Sequence, residues 1–258
     1  MDDWSQVRYV LCDLDGVVWL SGQAIAGAPE AIAALRQSGR RVLFVTNNSW
    51  AVVGDQEKAL DKIGIPGEGD VVTSAQAAAF LTEPGERALV CGGPGVVEAL
   101  QHRGVEPVRE GDADAVVVGF HRDFDYERMR VATDAVLRGA RLIATNDDPT
   151  YPTPDGPIPG GGAIVAAVAT ASGVEPTVAG KPFQPMADLV RQRCGPDFTE
   201  RTAIMIGDRW TTDGLFAEAL RCPFALVRTG VTPLGTEIGG VPRLDLPDLA
   251  AIANVLLR

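Results

Sequence analysis

The fold is decided by residues 9–16, which read YVLCDLDG. A short apolar run ended by Gly16 is typical of a buried strand in a parallel sheet, and such a strand carries Asp13 and Asp15 to the edge where open α/β sheets bind ligands. Neighbouring carboxylates repel each other unless a cation neutralises them, and a hard ion such as Mg²⁺ takes oxygen ligands. The pair therefore indicates a metal and phosphate site, although aspartates at strand ends also serve as turn formers and helix N-caps.

The composition is that of a globular, acidic chain. With 258 residues and 46% hydrophobic content, it can form one large domain or two smaller ones. The formal net charge of −11 argues against a nucleic acid or an anionic membrane as partner, and it is compatible with a small phosphorylated metabolite. The sequence contains neither a membrane-spanning apolar run nor the pattern of a signal peptide, so we expect a cytoplasmic protein.

The scarcity of histidine and lysine narrows the chemistry. Only His102 and His121 occur, which disfavours a histidine-based triad or zinc site and favours carboxylate chemistry. Lys181 is far in sequence from the other two lysines. The four cysteines lack the short spacings of zinc sites or disulfide frameworks, and we expect them to be reduced packing residues.

Strand and helix patterns alternate along the chain, which predicts a parallel α/β architecture. Ser74 is expected to cap an alanine-rich helix that runs to about residue 81. Residues 83–85, which read EPG, are then typical of a linker, and a new series of strands follows. From spacing alone, residues 80–178 are either a continuation of one sheet or an inserted α/β module.

Polar residues recur where predicted strands end or helices begin. They occupy four places along the chain: Asp13 with Asp15, Thr46 with Asn47, Lys181, and Asp208 with Asp213. Taken singly, each has an ordinary structural interpretation as a turn former, a helix cap or a solvated loop lysine. Their joint order favours one phosphate site assembled from distant segments.

The order and type of these residues resemble the four motifs of the haloacid dehalogenase superfamily of phosphohydrolases. The stretches TNNS at 46–49, GKP at 180–182 and GDRWTTD at 207–213 are similar to the class IIA branch, typified by 4-nitrophenyl phosphatase, phosphoglycolate phosphatase and NagD-type proteins. In that branch a large α/β cap lies between the second and third motifs. The resemblance implies a Rossmann-like, doubly wound parallel sheet core, residues 1–79 and 179–258, with the cap inserted at 80–178.

The resemblance also implies a two-step hydrolysis of phosphate monoesters. Asp13 would be the nucleophile and form an acyl phosphate, and Asp15 would protonate the leaving group and then activate the hydrolytic water. Mg²⁺ would bind Asp13, the main-chain carbonyl of Asp15 and the carboxylate of Asp208, so that two anions can approach each other. Asp213 would hold a metal-bound water and orient Lys181.

The remaining predicted contacts concern the phosphoryl group and the leaving group. Thr46 and Asn47 would donate hydrogen bonds to phosphoryl oxygens, and Lys181 would stabilise the transition state as a point charge. In the cap, Asn146 and Asp148 begin a loop rich in proline and glycine. This loop either forms a rim over the active site and recognises the leaving group, or it is a rigid surface loop.

Two further features are given no catalytic role. His121 stands where the branch has an acidic residue, and we interpret it as a hydrogen-bonding histidine. The stretch CGGPG at 91–95 follows a strand and opens a helix, as in a dinucleotide-binding fingerprint. Tight strand-to-helix packing explains it, and NAD is not predicted.

We therefore expect a Mg²⁺-dependent phosphatase that hydrolyses small phosphate monoesters through a phosphoaspartate at Asp13. One alternative is a phosphoacceptor signalling module, which the sequence order disfavours because its acceptor aspartate would lie on a middle strand. Another is a non-catalytic binder of phosphorylated metabolites on the same scaffold, which the presence of Asp15, Lys181 and Asp208 disfavours. The physiological substrate and the oligomeric state are open, and a homo-oligomer is compatible with the sequence.

Overall fold

The computed structural model of the chain describes residues 4–20, 22–151 and 156–258. The strands are β1 (Tyr9–Cys12), β2 (Trp19–Leu20), β3 (Gln23–Ala24), β4 (Arg41–Thr46), β5 (Val71–Thr73), β6 (Arg87–Cys91), β7 (Glu106–Val108), β8 (Ala115–Val118), β9 (Arg141–Ala144), β10 (Thr150–Tyr151), β11 (Ile158–Pro159), β12 (Thr177–Val178), β13 (Ala203–Gly207), β14 (Phe224–Val227) and β15 (Leu244–Leu246). The helices are α1 (Ala28–Gln37), α2 (Val53–Lys62), α3 (Ser74–Phe80), α4 (Pro94–His102), α5 (Tyr126–Leu137), α6 (Gly161–Ser172), α7 (Gln184–Cys194), α8 (Leu215–Leu220) and α9 (Leu249–Leu256). A single π-helical turn, Trp210–Gly214, precedes α8.

The chain forms two compact units. The core unit comprises Met1–Thr46, Gly54–Val72 and Ala187–Arg258, and the cap unit comprises Asn47–Val53 and Thr73–Met186. The cap unit is thus defined by packing, and it includes a short segment that directly follows β4. The insertion bounds that the sequence suggests, 80–178, stay a prediction.

A six-stranded sheet organises the core unit, in the order β15-β14-β13-β1-β4-β5. The central strand β1 pairs in parallel with β13 on one side and β4 on the other, and Leu11 lies opposite both Met205 and Leu43. Every residue of β1 and β13 is buried, as expected for parallel strands with both faces covered. This sheet confirms the predicted Rossmann-like core.

A second parallel sheet organises the cap unit, in the order β12-β9-β8-β6-β7. Helices α5 and α6 pack against it through a cluster of small and branched apolar residues that includes Val116, Val118, Ala135 and Val165. The separate sheet resolves the alternative left open by spacing, because residues beyond the predicted linker do not extend the first sheet. The predicted fold class, an α/β core with an inserted α/β cap, is confirmed.

Helix α3 corrects one local prediction. Its N-cap is Thr73, whose hydroxyl accepts a hydrogen bond from Gln76 N at 3.2 Å, while the Gln76 side chain accepts one from Thr73 N at 3.1 Å. Only Thr73 has a glutamine three residues later, which is the sequence pattern of a capping box. Ser74, predicted as the cap, is the first helical residue, and its hydroxyl donates instead to the carbonyl of Asn47 at 2.8 Å.

All four cysteines are buried and none forms a disulfide. Burial raises the pKa of the Cys91 and Cys222 thiols to about 12, so these groups stay protonated and unreactive near neutral pH. Within the described residues, the structure contains no helix with the length and apolar character needed to cross a membrane.

Candidate active site

Strands β1 and β13 bring three aspartates together at one edge of the core sheet. Cys12 lies opposite Ile206, and the N–H of Asp13 extends the ladder by donating to the Ile206 carbonyl at 2.9 Å. The two strands therefore end side by side. Carboxylate oxygens of Asp13, Asp208 and Asp213 lie within 4.8 Å of one another. Three acidic residues singled out from distant parts of the sequence thus form one cluster, the acidic cluster.

The Asp208 carboxylate is fixed by the loop after β14. Its Oδ2 accepts a hydrogen bond from Val231 N at 2.6 Å, and its main-chain carbonyl accepts one from the Thr232 hydroxyl. A Cβ on Gly230 would lie 1.9 Å from Oδ2, and a Cβ on Gly16 would lie 2.5 Å from the same oxygen. Gly16 also has φ +86°, in the left-handed region. Both glycines are required because the main chain closely surrounds this oxygen.

Asp213 is held by the π-helical turn. Its Oδ2 accepts a hydrogen bond from Arg209 N at 3.2 Å, and the side chain is only 1% exposed. A Cβ on Gly207 would lie 2.2 Å from the Asp213 Cβ, so glycine at the end of β13 makes room for this carboxylate. Single π-helical turns often occur at functional sites, and this one presents an acid in the acidic cluster.

Asp15 is oriented by an aromatic residue four positions later. The indole Nε1 of Trp19 donates to Asp15 Oδ1 at 3.0 Å, and the N–H of Gly16 donates to the Trp19 carbonyl at 2.8 Å. Trp19 begins the short β2–β3 hairpin and is buried. The hairpin therefore fixes which way the Asp15 carboxyl points.

The acidic cluster fits a hard divalent cation. Its ligand atoms are all carboxylate oxygens, two of the three residues are buried, and Asp208 is only 4% exposed. Gathering three like charges at this distance is unfavourable unless a cation or protons compensate them. An oxygen-only set suits Mg²⁺ or Ca²⁺ and lacks the histidine and cysteine ligands that characterise zinc sites.

We expect Gly230→Ala to distort the acidic cluster, because the added methyl must displace the Asp208 carboxylate or the loop that binds it. Overpacking of this kind costs about 1–3 kcal/mol, which urea unfolding measures, and Mg²⁺ binding should weaken in parallel. Gly54→Ala is the matched control, since a Cβ there meets nothing within 4 Å and lies in the first turn of α2. Equal effects of the two substitutions would contradict the role of Gly230.

The second predicted motif is divided between the two units. Thr46 is buried at the end of β4 in the core unit, and Asn47 opens the cap unit. The Asn47 side chain pairs with the main chain of Lys181: its Oδ1 accepts from Lys181 N at 2.8 Å, and its Nδ2 donates to Lys181 O at 3.0 Å. Lys181 is 1% exposed, and the peptide bond that follows it is cis.

Both cap residues singled out from the sequence contact Asn47. The Asn47 Nδ2 donates to Asp148 Oδ2 at 2.9 Å, and Asn146 Nδ2 donates to the Asn47 carbonyl at 2.7 Å. Residues 146 and 148 are therefore hydrogen-bonded to Asn47 within the cap unit. Recognition of a leaving group by Asn146 and Asp148 stays a prediction.

His121 and the glycine-rich stretch have structural explanations. The Nδ1 of His121 accepts a hydrogen bond from Asp123 N at 3.1 Å, and burial lowers the pKa of its imidazole. A Cβ on Gly95 would lie 2.4 Å from the carbonyl oxygen of Ala51, and one on Gly93 would lie 2.5 Å from the Trp50 ring. These glycines allow residues 49–51 to lie directly against the start of α4.

Sequence reasoning missed the residues that hold the acids in place. The loop that fixes Asp208 reads TGVT at 229–232 and begins two residues after the buried strand β14. Small polar residues and glycine after a buried strand are the same signal that marked Thr46, so this loop was detectable. Trp19 carried no such signal, because an aromatic residue in an apolar stretch is typical of a core position.

Two protein-family models match the parts of the chain that contain the predicted site residues. Residues 10–106 match the model described as haloacid dehalogenase-like hydrolase, and residues 178–249 match a second model of hydrolases of the same type. The first match contains Asp13, Asp15 and β4, and the second contains Lys181 and β13. The two models therefore cover the places where the four predicted motifs lie.

Individual relatives are phosphatases. The chain is 39% identical over 229 residues to the D-glycerol 3-phosphate phosphatase of Mycobacterium tuberculosis. The aligned region covers 86% of this chain and 63% of the relative. The chain is also 34% identical over 226 residues to an acid sugar phosphatase of Staphylococcus saprophyticus, covering 86% of each. A crystal structure of the glycerol phosphate phosphatase from M. tuberculosis in complex with magnesium matches with a TM-score of 0.86 and 35% identity, over 97% of this chain and 78% of that one.

An α/β core with an acidic cluster at its sheet edge and an α/β cap inserted in its sequence defines a class of phosphoryl-group hydrolases. The chain belongs to the haloacid dehalogenase-like hydrolase family, in the class IIA branch of phosphatases. This confirms the family and the enzyme class predicted from the motifs. The chain spans slightly less than two thirds of the M. tuberculosis relative.

Proposed function

We propose that this chain is a Mg²⁺-dependent phosphatase that hydrolyses small phosphate monoesters through a phosphoaspartate at Asp13. The observation that carries the proposal is the acidic cluster, in which carboxylates from two neighbouring strand ends and one π-helical turn lie within 4.8 Å of one another. No arrangement of this kind is needed to stabilise the sheet. It suits a reaction between an anionic nucleophile and an anionic ester.

The metal in this proposal is Mg²⁺, and the carboxylates of Asp13 and Asp208 and the main-chain carbonyl of Asp15 would hold it. The oxygen-only ligand set supports it, and so does the magnesium complex of the M. tuberculosis relative. When bound, the ion neutralises charge on the nucleophile and on the phosphoryl oxygens. Asp213 would act from outside these ligands, by orienting a water and the ammonium group of Lys181.

The protein side chains carry the two chemical steps. A carboxylate oxygen of Asp13 attacks phosphorus and forms an aspartyl phosphate as the bond from phosphorus to the leaving oxygen breaks. Asp15 donates a proton to that oxygen and then accepts one from the water that cleaves the aspartyl phosphate. The hydrogen bond from Trp19 supports this assignment, because it gives the Asp15 carboxyl a fixed orientation.

Three further residues would neutralise the transferring group. Thr46 and the main-chain N–H of Asn47 would donate hydrogen bonds to its oxygens, and Lys181 would add a positive charge. The burial of Lys181 supports this role, since a buried ammonium interacts more strongly with an anion than an exposed one does. We predict a small phosphorylated metabolite as the substrate. Glycerol phosphates and sugar phosphates are the first candidates, because they are the substrates named for the relatives. A cytoplasmic location stays a prediction.

A panel of phosphate esters tests this proposal. We expect turnover of glycerol 3-phosphate, of sugar phosphates and of 4-nitrophenyl phosphate in the presence of Mg²⁺. Removal of the metal with EDTA should lower kcat/KM by about 100-fold or more, and excess Mg²⁺ should restore it, because the acidic cluster would otherwise repel the substrate. Turnover that is indifferent to EDTA would contradict the metal assignment.

The same panel separates the two alternative functions. A phosphoacceptor module would retain phosphate covalently with little turnover, whereas a binder would show ligand-dependent stabilisation and release no phosphate. Phosphate release together with thermal shift measurements on the same samples distinguishes all three outcomes.

A further inference from the structure

Asn47 forms the centre of a hydrogen-bond cluster in the cap unit, which we call the Asn47 clasp. It consists of Asn47, Ser74, Asn146, Asp148 and Lys181. The side-chain amide of Asn47 makes three hydrogen bonds, two to the main chain of Lys181 and one to the Asp148 carboxylate. Its main-chain carbonyl accepts two more, from Ser74 and Asn146. One residue thus fastens together four segments that are far apart in sequence.

The geometry of the side-chain amide leaves it committed to these partners. An asparagine amide has two N–H donors, and one is directed to Lys181 O at 3.0 Å and the other to Asp148 Oδ2 at 2.9 Å. Its oxygen accepts from Lys181 N at 2.8 Å, which fixes the orientation of the amide. A phosphoryl oxygen that bound this side chain would have to displace one of these bonds.

The side-chain amide of Asn47 is closely packed against the segment that contains Lys181. A Cβ on Gly180 would lie 2.6 Å from Asn47 Oδ1 and 2.5 Å from the carbonyl of Thr145, so only glycine allows the 180–181 segment to approach so closely. The paired bonds to Lys181 resemble a strand pairing in which a side chain replaces one main chain. They fix the position from which the Lys181 side chain extends.

We propose that Asn47 is a positioning residue, which acts through the main chain of Lys181 and the carboxylate of Asp148 and not through a side-chain contact with phosphate. The proposal rests on the proposed function, in which Lys181 supplies the charge that stabilises the transferring group. The bonds from Asn47 fix the main chain of Lys181, from which the side chain with the ammonium group extends. Asn47 also joins Lys181 to Asp148. The main-chain N–H of Asn47 stays available as a phosphate donor in this proposal.

A donor exchange between residues 47 and 148 tests it. Asn47→Asp places a carboxylate against Asp148 and against the Lys181 carbonyl, and we expect kcat to fall about 100-fold, the loss that a displacement of roughly 1 Å can cause. Adding Asp148→Asn restores a donor and acceptor pair in the reverse direction with the original total charge. The double variant should recover at least tenfold in kcat over Asn47→Asp, with partial recovery because the Lys181 carbonyl still faces a carboxylate.

The opposite result follows if the Asn47 amide binds phosphate directly. An aspartate at position 47 would then repel the phosphoryl group whatever stands at position 148, and the exchange would rescue nothing. Absence of rescue, or rescue of thermal stability without rescue of kcat, overturns the proposal. Asp134→Asn on the exposed face of α5 is the control for the Asp148→Asn step, which removes one acidic charge.

A second pair of variants keeps the proposal testable if the exchanged variant fails to fold. If Asn47 acts through Lys181, Asn47→Ala should lower kcat strongly in the wild type and by less than threefold in a Lys181→Met background. Additive losses overturn the proposal. An inactive wild-type protein would instead contradict the proposed function, so the two failures are distinguishable.

Discussion

Asp13→Asn is expected to lower kcat for 4-nitrophenyl phosphate by more than about 10³-fold, because an amide cannot replace the carboxylate as nucleophile. The substitution preserves the size of the side chain, and the N–H of residue 13 still donates to the Ile206 carbonyl. Folding should therefore be retained, which circular dichroism and urea unfolding can verify. A variant that keeps most of its activity would exclude a nucleophilic role for Asp13.

The covalent intermediate provides an independent measurement. Wild-type protein quenched with acid during turnover should carry phosphate on the peptide that contains residue 13, and Asp13→Asn should carry none. Phosphate found on a different residue would contradict the assignment even if the variant is inactive. Asp55→Asn, an exposed acid on α2 that pairs with Lys58, provides the control for removal of one carboxylate.

Asp208→Asn should weaken Mg²⁺ binding by about 100-fold or more and reduce activity in step. Loss of a partner that merely supports a metal ligand costs about 10–100-fold in affinity, and Asp208 is proposed as a ligand itself. An asparagine oxygen can still accept the hydrogen bond from Val231, so the loop after β14 should stay in place. Calorimetric titration of Mg²⁺ into the protein measures the effect without reference to catalysis.

Two outcomes separate the metal role of Asp208 from a structural one. If Mg²⁺ affinity is unchanged while unfolding occurs at lower urea, Asp208 serves only to anchor the loop through Val231 and Thr232. If Mg²⁺ affinity falls and the stability to urea is unchanged or rises, Asp208 serves to bind the cation. Its repulsion by the neighbouring carboxylates then destabilises the metal-free fold. We expect the second outcome, because Asp208 lies within 4.8 Å of two other carboxylates.

The sequence was most informative where burial and chemistry coincide. Runs such as 9–12 and 203–206 are short and apolar, which is typical of inner strands of a covered parallel sheet, and all their residues are buried. The residues that follow such strands are expected at one edge of the sheet. This pattern predicts that Asp13 and Asp208 lie close together, as they do in the acidic cluster. The presence of a second sheet followed from the linker pattern and the family resemblance together.

The details that sequence reasoning missed depend on partners that are distant along the chain. The resemblance implies that Asn47 binds phosphate, and that role stays a prediction. The side-chain bonds of Asn47 could not be predicted, because they are made to residues 101 and 134 positions away. The sequence predicts Ser74 as a helix cap because serine is a good cap, whereas its hydroxyl has a different acceptor in the fold. Polar side chains of this kind have several local options, and tertiary structure selects among them.

The path of the chain through the cap unit has a practical consequence for protein engineering. Because residues 47–53 pack with the cap unit, a transplant of residues 80–178 alone would bring in a foreign partner for Asn47 at position 148 while keeping the native Lys181. Grafts intended to change substrate preference should therefore carry residues 47–53 and 73–186 as one piece. Hybrids joined at those boundaries would inherit a matched set of hydrogen bonds, whereas shorter grafts would sever it.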